Sequence, residues 1–174
     1  AKSINNGLRA VDIGKPNYDQ MMLDHSDYVD ALISAGAQII ELSPLEKYPD
    51  AQFVEDTALC LPEGVILMRP GAPSRLGEVE EIAPKLRDLF KKVYKIDEPG
   101  HVEGGDILVT GKEILIGRSA RTDKSGVSQL SEIITSMGYF LREVFTPPEI
   151  LHFKTDCSLL APDEILTTKR LQAS

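Results

Sequence analysis

His101–Leu108, reading HVEGGDIL, sets two carboxylates and a pair of glycines at the mouth of an apolar strand. Related stretches stand about one repeat away on either side: FVEDTALC from Phe53 to Cys60, and LHFKTDCSLL from Leu151 to Leu160. Aligned in this way, Glu55, Glu103 and His152 share one position. Recurrence at a period of about 50 residues signals a repeat architecture, and charged groups at matching points converge when the units surround a common axis.

The sequence around each stretch strengthens the repeat. In the first unit a strand from Phe53 to Leu61 turns at PEG into Val65–Met68, and the loop RPGAPSRLG leads to a helix over Glu78–Lys92. That helix carries Val79, Ile82, Leu86, Leu89 and Phe90 on one face, and Val93–Ile96 returns as a strand. The second unit repeats the order: HVEGGDILV, a turn at TGKE, a strand over Ile114–Ile116, the loop GRSARTDKSG, and a helix from Val127 to about Met137. Both loops place an Arg near a Ser shortly before the helix. A third unit opens with LHFKTDCSLL, turns at PDE and runs into Ile165–Thr168, with no helix expected after it. A helix in each unit excludes an all-β propeller, so the fold class is α/β, a ring of ββαβ units.

Upstream, Ala1–Asn17 reads as an irregular loop with a turn at GKPN, a candidate lid. Tyr18–Ala35 has helical spacing, and the short β-branched run Gln38–Leu42 reads as a strand. The expected organisation is a single catalytic domain over residues 1–174. Because a ring left open after about three units exposes a strand edge, the chain is expected to be a portion of a longer protein.

Composition excludes several function classes. A formal charge of -8 argues against nucleic-acid or anionic-membrane partners and favours a small cationic ligand. No apolar run has membrane-spanning length and no signal pattern opens the chain, and with only two cysteines a reducing, cytoplasmic location is expected. The two cysteines, Cys60 and Cys157, form neither a disulfide framework nor a zinc spacing, and both read as inert core thiols. His25 and His101 have no ligand-spaced partners, so neither metal nor cofactor is expected. The helix stripes read as core. Asp106 could simply close a local turn, and Arg75 could pair with Glu78 or Glu80 in a solvated arrangement. Glu55 and Asp56, as neighbours on a strand, would point to opposite faces unless the strand is ending.

Five stretches in order, DAQFVEDTALC, RPGAPSRLGE, HVEGGDI, IGRSART and LHFKT, resemble the dimethylarginine dimethylaminohydrolases. These are members of the guanidino-group-modifying superfamily, with arginine deiminases and amidinotransferases. The resemblance starts at NNGLRAVDIGKPNY and covers essentially the whole chain. It implies a pseudo-symmetric five-bladed αβ propeller around a central site. His152 matches the family's catalytic histidine and Glu103 the acid that supports it. Asp50, Glu55 and Asp56 match residues that hold the substrate's cationic and amino groups. Arg75 and Arg121 match arginines that bind its α-carboxylate, and Leu8 lies in the lid. The family's nucleophilic cysteine belongs to a final unit beyond Ser174, since neither Cys60 nor Cys157 matches it, and the family's opening strand is also missing.

These residue types suit the chemistry. A guanidinium stays charged and planar, so carboxylates must meet its edge, and a carboxylate is best met by bidentate Arg. A histidine that serves as both acid and base needs a pKa near neutrality, which a neighbouring carboxylate supports. The reaction that the resemblance implies is hydrolysis of methylated arginine to citrulline and dimethylamine. Rivals are an enzyme of arginine or another guanidino or ureido compound, an amidinotransferase, or a non-catalytic module that binds arginine derivatives. Monomer and homodimer are equally compatible with the sequence.

Overall fold

The computed structural model describes residues 2–111 and 113–172, with side chains to residue 171 except at position 112. The chain divides into two compact units, Ala1–Gln52 and Phe53–Ser174.

In the first unit, α1 (Tyr18–Ser34) starts where Asn17 caps it, its side chain accepting from the Gln20 amide at 3.1 Å. None of its residues is buried, so its apolar stripe is not core. Periodicity sets which face of a helix is apolar, whereas burial needs a packing partner. Gln38–Leu42 is irregular rather than a strand, because no described segment supplies a ladder for it.

The second unit carries the repeat. β1 (Ala58–Leu61) and β2 (Gly64–Leu67) form a hairpin, α2 (Glu78–Leu89) crosses over, and β3 (Val93–Lys95) joins β2 in parallel. β4 (Ile107–Val109), β5 (Glu113–Arg118), α3 (Lys124–Ser136) and β6 (Phe140–Phe145) repeat that topology. β7 (Cys157–Ala161) and β8 (Glu164–Thr167) form a third hairpin, followed by the four-residue α4 (Lys169–Gln172), a helical turn that the sequence reading leaves out. Asp156 holds it, accepting from Arg170 Nε at 2.9 Å and from the Thr168 hydroxyl at 2.6 Å. An antiparallel bridge between Arg69 and Val102 connects the first repeat to the second.

Strand alternation explains the core. Val65 and Leu67 face α2, packing on Val79, Ile82 and Leu86, while Ile66 joins the other face with Ile114, Ile116 and the α3 residues Leu130 and Ile134. Leu130 and Ile134 are fully buried, each contributing about 1.5–3 kcal/mol. Asp123 caps α3 through the Gly126 amide at 2.8 Å, so the helix begins at Lys124, before its first apolar residue. α2 ends at Leu89 rather than Lys92, because Phe90 is already extended. Cys60 is exposed, not a core thiol, because β1 is an outer strand and Cys60 alternates with the buried Leu61.

Each hairpin is entered through a short 3-10 turn: Val54–Thr57, Gly104–Asp106 and Phe153–Thr155. The strand expected from Phe53 therefore begins only at Ala58. The turn closes when Asp56, Asp106 and Thr155 donate their amides to Phe53, Glu103 and His152 respectively. This pattern resets the repeat register. The residue equivalent to Glu103 and His152 is Phe53, not Glu55, and Asp56 is the equivalent of Asp106.

Candidate active site

The three entry turns bring the candidate residues of the second unit together. Consecutive turns are stitched by the same device. Asp56 Oδ1 accepts the Gly105 amide at 2.8 Å, and Asp106 Oδ1 accepts the Phe153 amide at 2.9 Å. The glycines permit this approach. A Cβ on Gly104 would overlap the Glu55 carbonyl oxygen, and one on Gly105 would lie 2.8 Å from the His152 ring and 2.9 Å from Asp56 Oδ1.

Glu103 and His152, at the start of the second and third turns, meet directly: His152 Nε2 lies 2.7 Å from Glu103 Oε2. The Glu103 side chain is 0% exposed and that of His152 13%. Glu103 Oε1 also accepts the Gly71 and Ala72 amides at 3.0 and 3.2 Å, and Arg121 Nη1 lies 3.2 and 3.3 Å from its two oxygens. Burial works to raise the Glu103 pKa, but the His152 hydrogen bond and the Arg121 charge outweigh it and hold the group below the usual carboxylate value. For His152, burial works downward, while the hydrogen bond to Glu103 and the charges of Asp106 and Asp56 prevail and raise its pKa. The histidine is thereby kept protonated to higher pH than an exposed imidazole.

Arg75 and Arg121 stand on equivalent loops, three residues before α2 and α3, yet they are used differently. The Arg75 guanidinium is buried, donating from Nη1 to Asp56 at 2.6 Å and from Nε and Nη2 to Glu78 at 3.1, 3.0 and 2.7 Å. Nη2 also reaches the Phe53 carbonyl at 3.0 Å. The pair with Glu78 is thus buried rather than solvated, and the neighbouring carboxylates hold the Arg75 pKa well above its ordinary value although burial opposes them. Glu55 lies toward solvent, its side chain 66% exposed, with Lys154 Nζ 2.5 Å from Oε1. Asp106 does not close a merely local turn. Its Oδ2 accepts the Ser119 and Thr122 hydroxyls, both at 2.6 Å, and those hydroxyls accept the amides of Arg121 and Glu103. Burial pushes the Asp106 carboxyl above the usual range despite these donors.

Leu8 and Asp50 belong to the first unit and meet each other there. The Leu8 amide donates to both oxygens of the buried Asp50, at 3.1 and 3.2 Å, and the Leu8 side chain is exposed.

Sequence reading passed over Ser119, Thr122 and the Gly71 and Ala72 amides. The two hydroxyls flanking Arg121 in SARTD, in a loop said to repeat one with a single Ser, are the signal that could have marked them. Spacing also gave no metal set, yet folding gathers Asp56, Glu103 and His152 so that one donor atom of each lies within 4.8 Å of the others. Such a set can meet a metal ion or the edge of an organic cation. Cys157 adds no nucleophile to this cluster. Its thiol contacts the Phe153 carbonyl at 3.3 Å, and burial raises its pKa.

Two ββαβ repeats and a third hairpin, with Glu103 and His152 at the heads of the second and third entry turns, form an αβ propeller-like fold, and an arginine deiminase family model matches residues 25–172. The chain belongs to this family and, within it, to the dimethylarginine dimethylaminohydrolases. A dimethylarginine dimethylaminohydrolase of Pseudomonas aeruginosa is 38% identical over 167 residues, 95% of this chain and 65% of that protein. The chain thus spans just under two thirds of that relative's length. The solved structure of a cysteine-to-serine variant of the P. aeruginosa enzyme with citrulline matches with a TM-score of 0.93 and 36% identity, over 99% of this chain and 70% of that one. A histidine-to-glycine variant of a dimethylarginine dimethylaminohydrolase, an adduct with S-methyl-L-thiocitrulline, matches with a TM-score of 0.92 and 37% identity, over 96% of this chain and 66% of that one. No described helix is long and apolar enough to cross a membrane.

Proposed function

We propose that the protein hydrolyses Nω-methylated arginine, converting dimethylarginine and water to citrulline and dimethylamine. The observation that carries this reading is the pairing of buried Glu103 with half-buried His152 at 2.7 Å, in a chain whose close relatives are dimethylarginine dimethylaminohydrolases. A cysteine thiolate, provided by neither Cys60 nor Cys157 and assigned to a segment of the protein beyond Ser174, adds to the guanidinium carbon. The tetrahedral species breaks its bond to the dimethylamino nitrogen, which leaves with the proton of His152 and yields a thiouronium intermediate. His152, now neutral, takes a proton from the attacking water, and collapse releases citrulline and the thiolate.

The raised pKa of His152 suits its first task, because the imidazolium must be present when the amine departs. Glu103 orients the ring and stabilises that charge. Arg121, whose Nε and Nη2 make no hydrogen bond among the described residues, is assigned to the substrate's α-carboxylate. Glu55 and Asp56 are assigned to its cationic and amino groups. Arg75 is assigned to positioning Asp56, because its donors are committed to Asp56, Glu78 and the Phe53 carbonyl. The match to an arginine deiminase model favours arginine itself as the competing substrate.

The test is citrulline release by the full-length protein from dimethylarginine and from arginine, with His152→Gly as control. Turnover of dimethylarginine that His152→Gly abolishes supports the reading. Preference for arginine, or unchanged turnover by the variant, overturns it.

A further inference from the structure

We propose that Lys154 sets how strongly this site prefers a cationic ligand to a neutral one, by competing with the ligand for Glu55. The inference rests on the guanidino reading above. Lys154 stands two residues after His152 in the third entry turn, Glu55 one residue before Asp56 in the first, and the intervening turn is stitched to both. Lys154 Nζ reaches back to Glu55 Oε1 at 2.5 Å.

Four carboxylates stand in or at the head of these turns, and three are already committed. Asp56 serves Arg75 and the Gly105 amide, Glu103 serves His152, Arg121 and two amides, and Asp106 serves two hydroxyls and the Phe153 amide. All three are buried. Glu55 alone is exposed, and its one side-chain partner among the described residues is Lys154. Of the four, Glu55 is the carboxylate open to solvent, and a cation that engages it meets an ammonium already in place.

An exposed ion pair of this kind is weak enough to exchange, which makes Lys154 a competitor rather than a fixed wall. A guanidinium brings the charge needed to take over Glu55. A ureido group has no charge with which to do so. Lys154 thus compresses the difference in affinity between substrate and product, which are distinguished by that charge.

The experiment measures inhibition constants of arginine and citrulline against dimethylarginine turnover in the full-length protein. Lys154→Gln is expected to raise the preference for arginine over citrulline by about two- to fivefold, the range of an exposed ion pair. Lys154→Arg keeps the pair and the wild-type preference. Glu55→Gln lowers it, and in the double variant the gain from Lys154→Gln disappears. Equal shifts for both inhibitors, an unchanged ratio in Lys154→Gln, or a gain that persists without Glu55 overturns the competition. Absence of dimethylarginine turnover in the wild type is a different result, which removes the guanidino reading and this inference together.

Discussion

Replacing Asp106 with Ala removes the carboxylate on which three donors from two segments converge. The Thr122 hydroxyl and the Phe153 amide, both in buried residues, lose their acceptor, while the half-buried Ser119 can turn to water. Two orphaned buried donors cost about 1–3 kcal/mol each, or about 2–6 kcal/mol together. Part of this is returned, because burial already disfavours the charged carboxyl, and about 2–4 kcal/mol of net destabilisation is expected. Asp106→Asn should fall between Ala and wild type. Its amide can donate to the two hydroxyls, but these already accept the Glu103 and Arg121 amides, so their own protons are left without acceptors. A pH dependence follows with definite sign. A carboxyl with a raised folded pKa penalises folding when charged, so wild type should gain on Asp106→Asn as pH falls through that raised pKa. Urea unfolding followed by far-ultraviolet circular dichroism measures both, provided the m-values agree. An Asp106→Ala midpoint that places stability within about 0.5 kcal/mol of wild type would refute the convergence argument.

Glu103→Gln should lower the His152 pKa, moving the basic limb of the kcat profile to lower pH. A limb that stays in place means that the carboxylate does not support the imidazolium. In wild type the pair stabilises fully between the ordinary values of 4.5 and 6.5. Its contribution fades as pH falls through the depressed Glu103 pKa or rises through the elevated His152 pKa. Gly105→Ala forces the His152 ring or Asp56 to move and should cut kcat by about 10–100-fold, with a visible shift of the His152 imidazole NMR signals. Prolonged dialysis against a chelator should leave turnover unchanged, since the proposed steps need no ion at Asp56, Glu103 and His152. Loss of activity restored by a divalent cation would contradict that.

The sequence disclosed what depends on local pattern. Short apolar runs at ALCL and GVIL, turn residues between them, and helical spacing in α2 and α3 were enough for the repeated ββα order. They did not disclose the entry turns, because VEDT and GGD have strand-like neighbours, and a 3-10 turn leaves no period of its own. That omission carried Glu55 into a position belonging to Phe53. Glu103 and His152 could be singled out from their stretches, but their separation of 2.7 Å depends on backbone bonds between units. Arg75 and Arg121 look alike in sequence because their loops are alike. Their different fates follow from Glu78, which reaches back to Arg75, whereas Lys124 stands three residues beyond Arg121 and cannot. The exposure of Cys60 was illegible because strand order is a tertiary fact.

The entry turns separate two jobs that a protein site usually mixes. One slot, at the closing residue, holds Asp56 and Asp106 and ties each repeat to the next. The other, at the opening residue, holds Phe53, Glu103 and His152, with an apolar, an acidic and a basic side chain on the same backbone frame. Changing an opening residue exchanges the reagent and keeps the frame, whereas changing a closing residue loosens the frame around an unaltered reagent. The repeat thus behaves as a rack of interchangeable sockets, and its acid–base pair exists because two neighbouring sockets were filled differently.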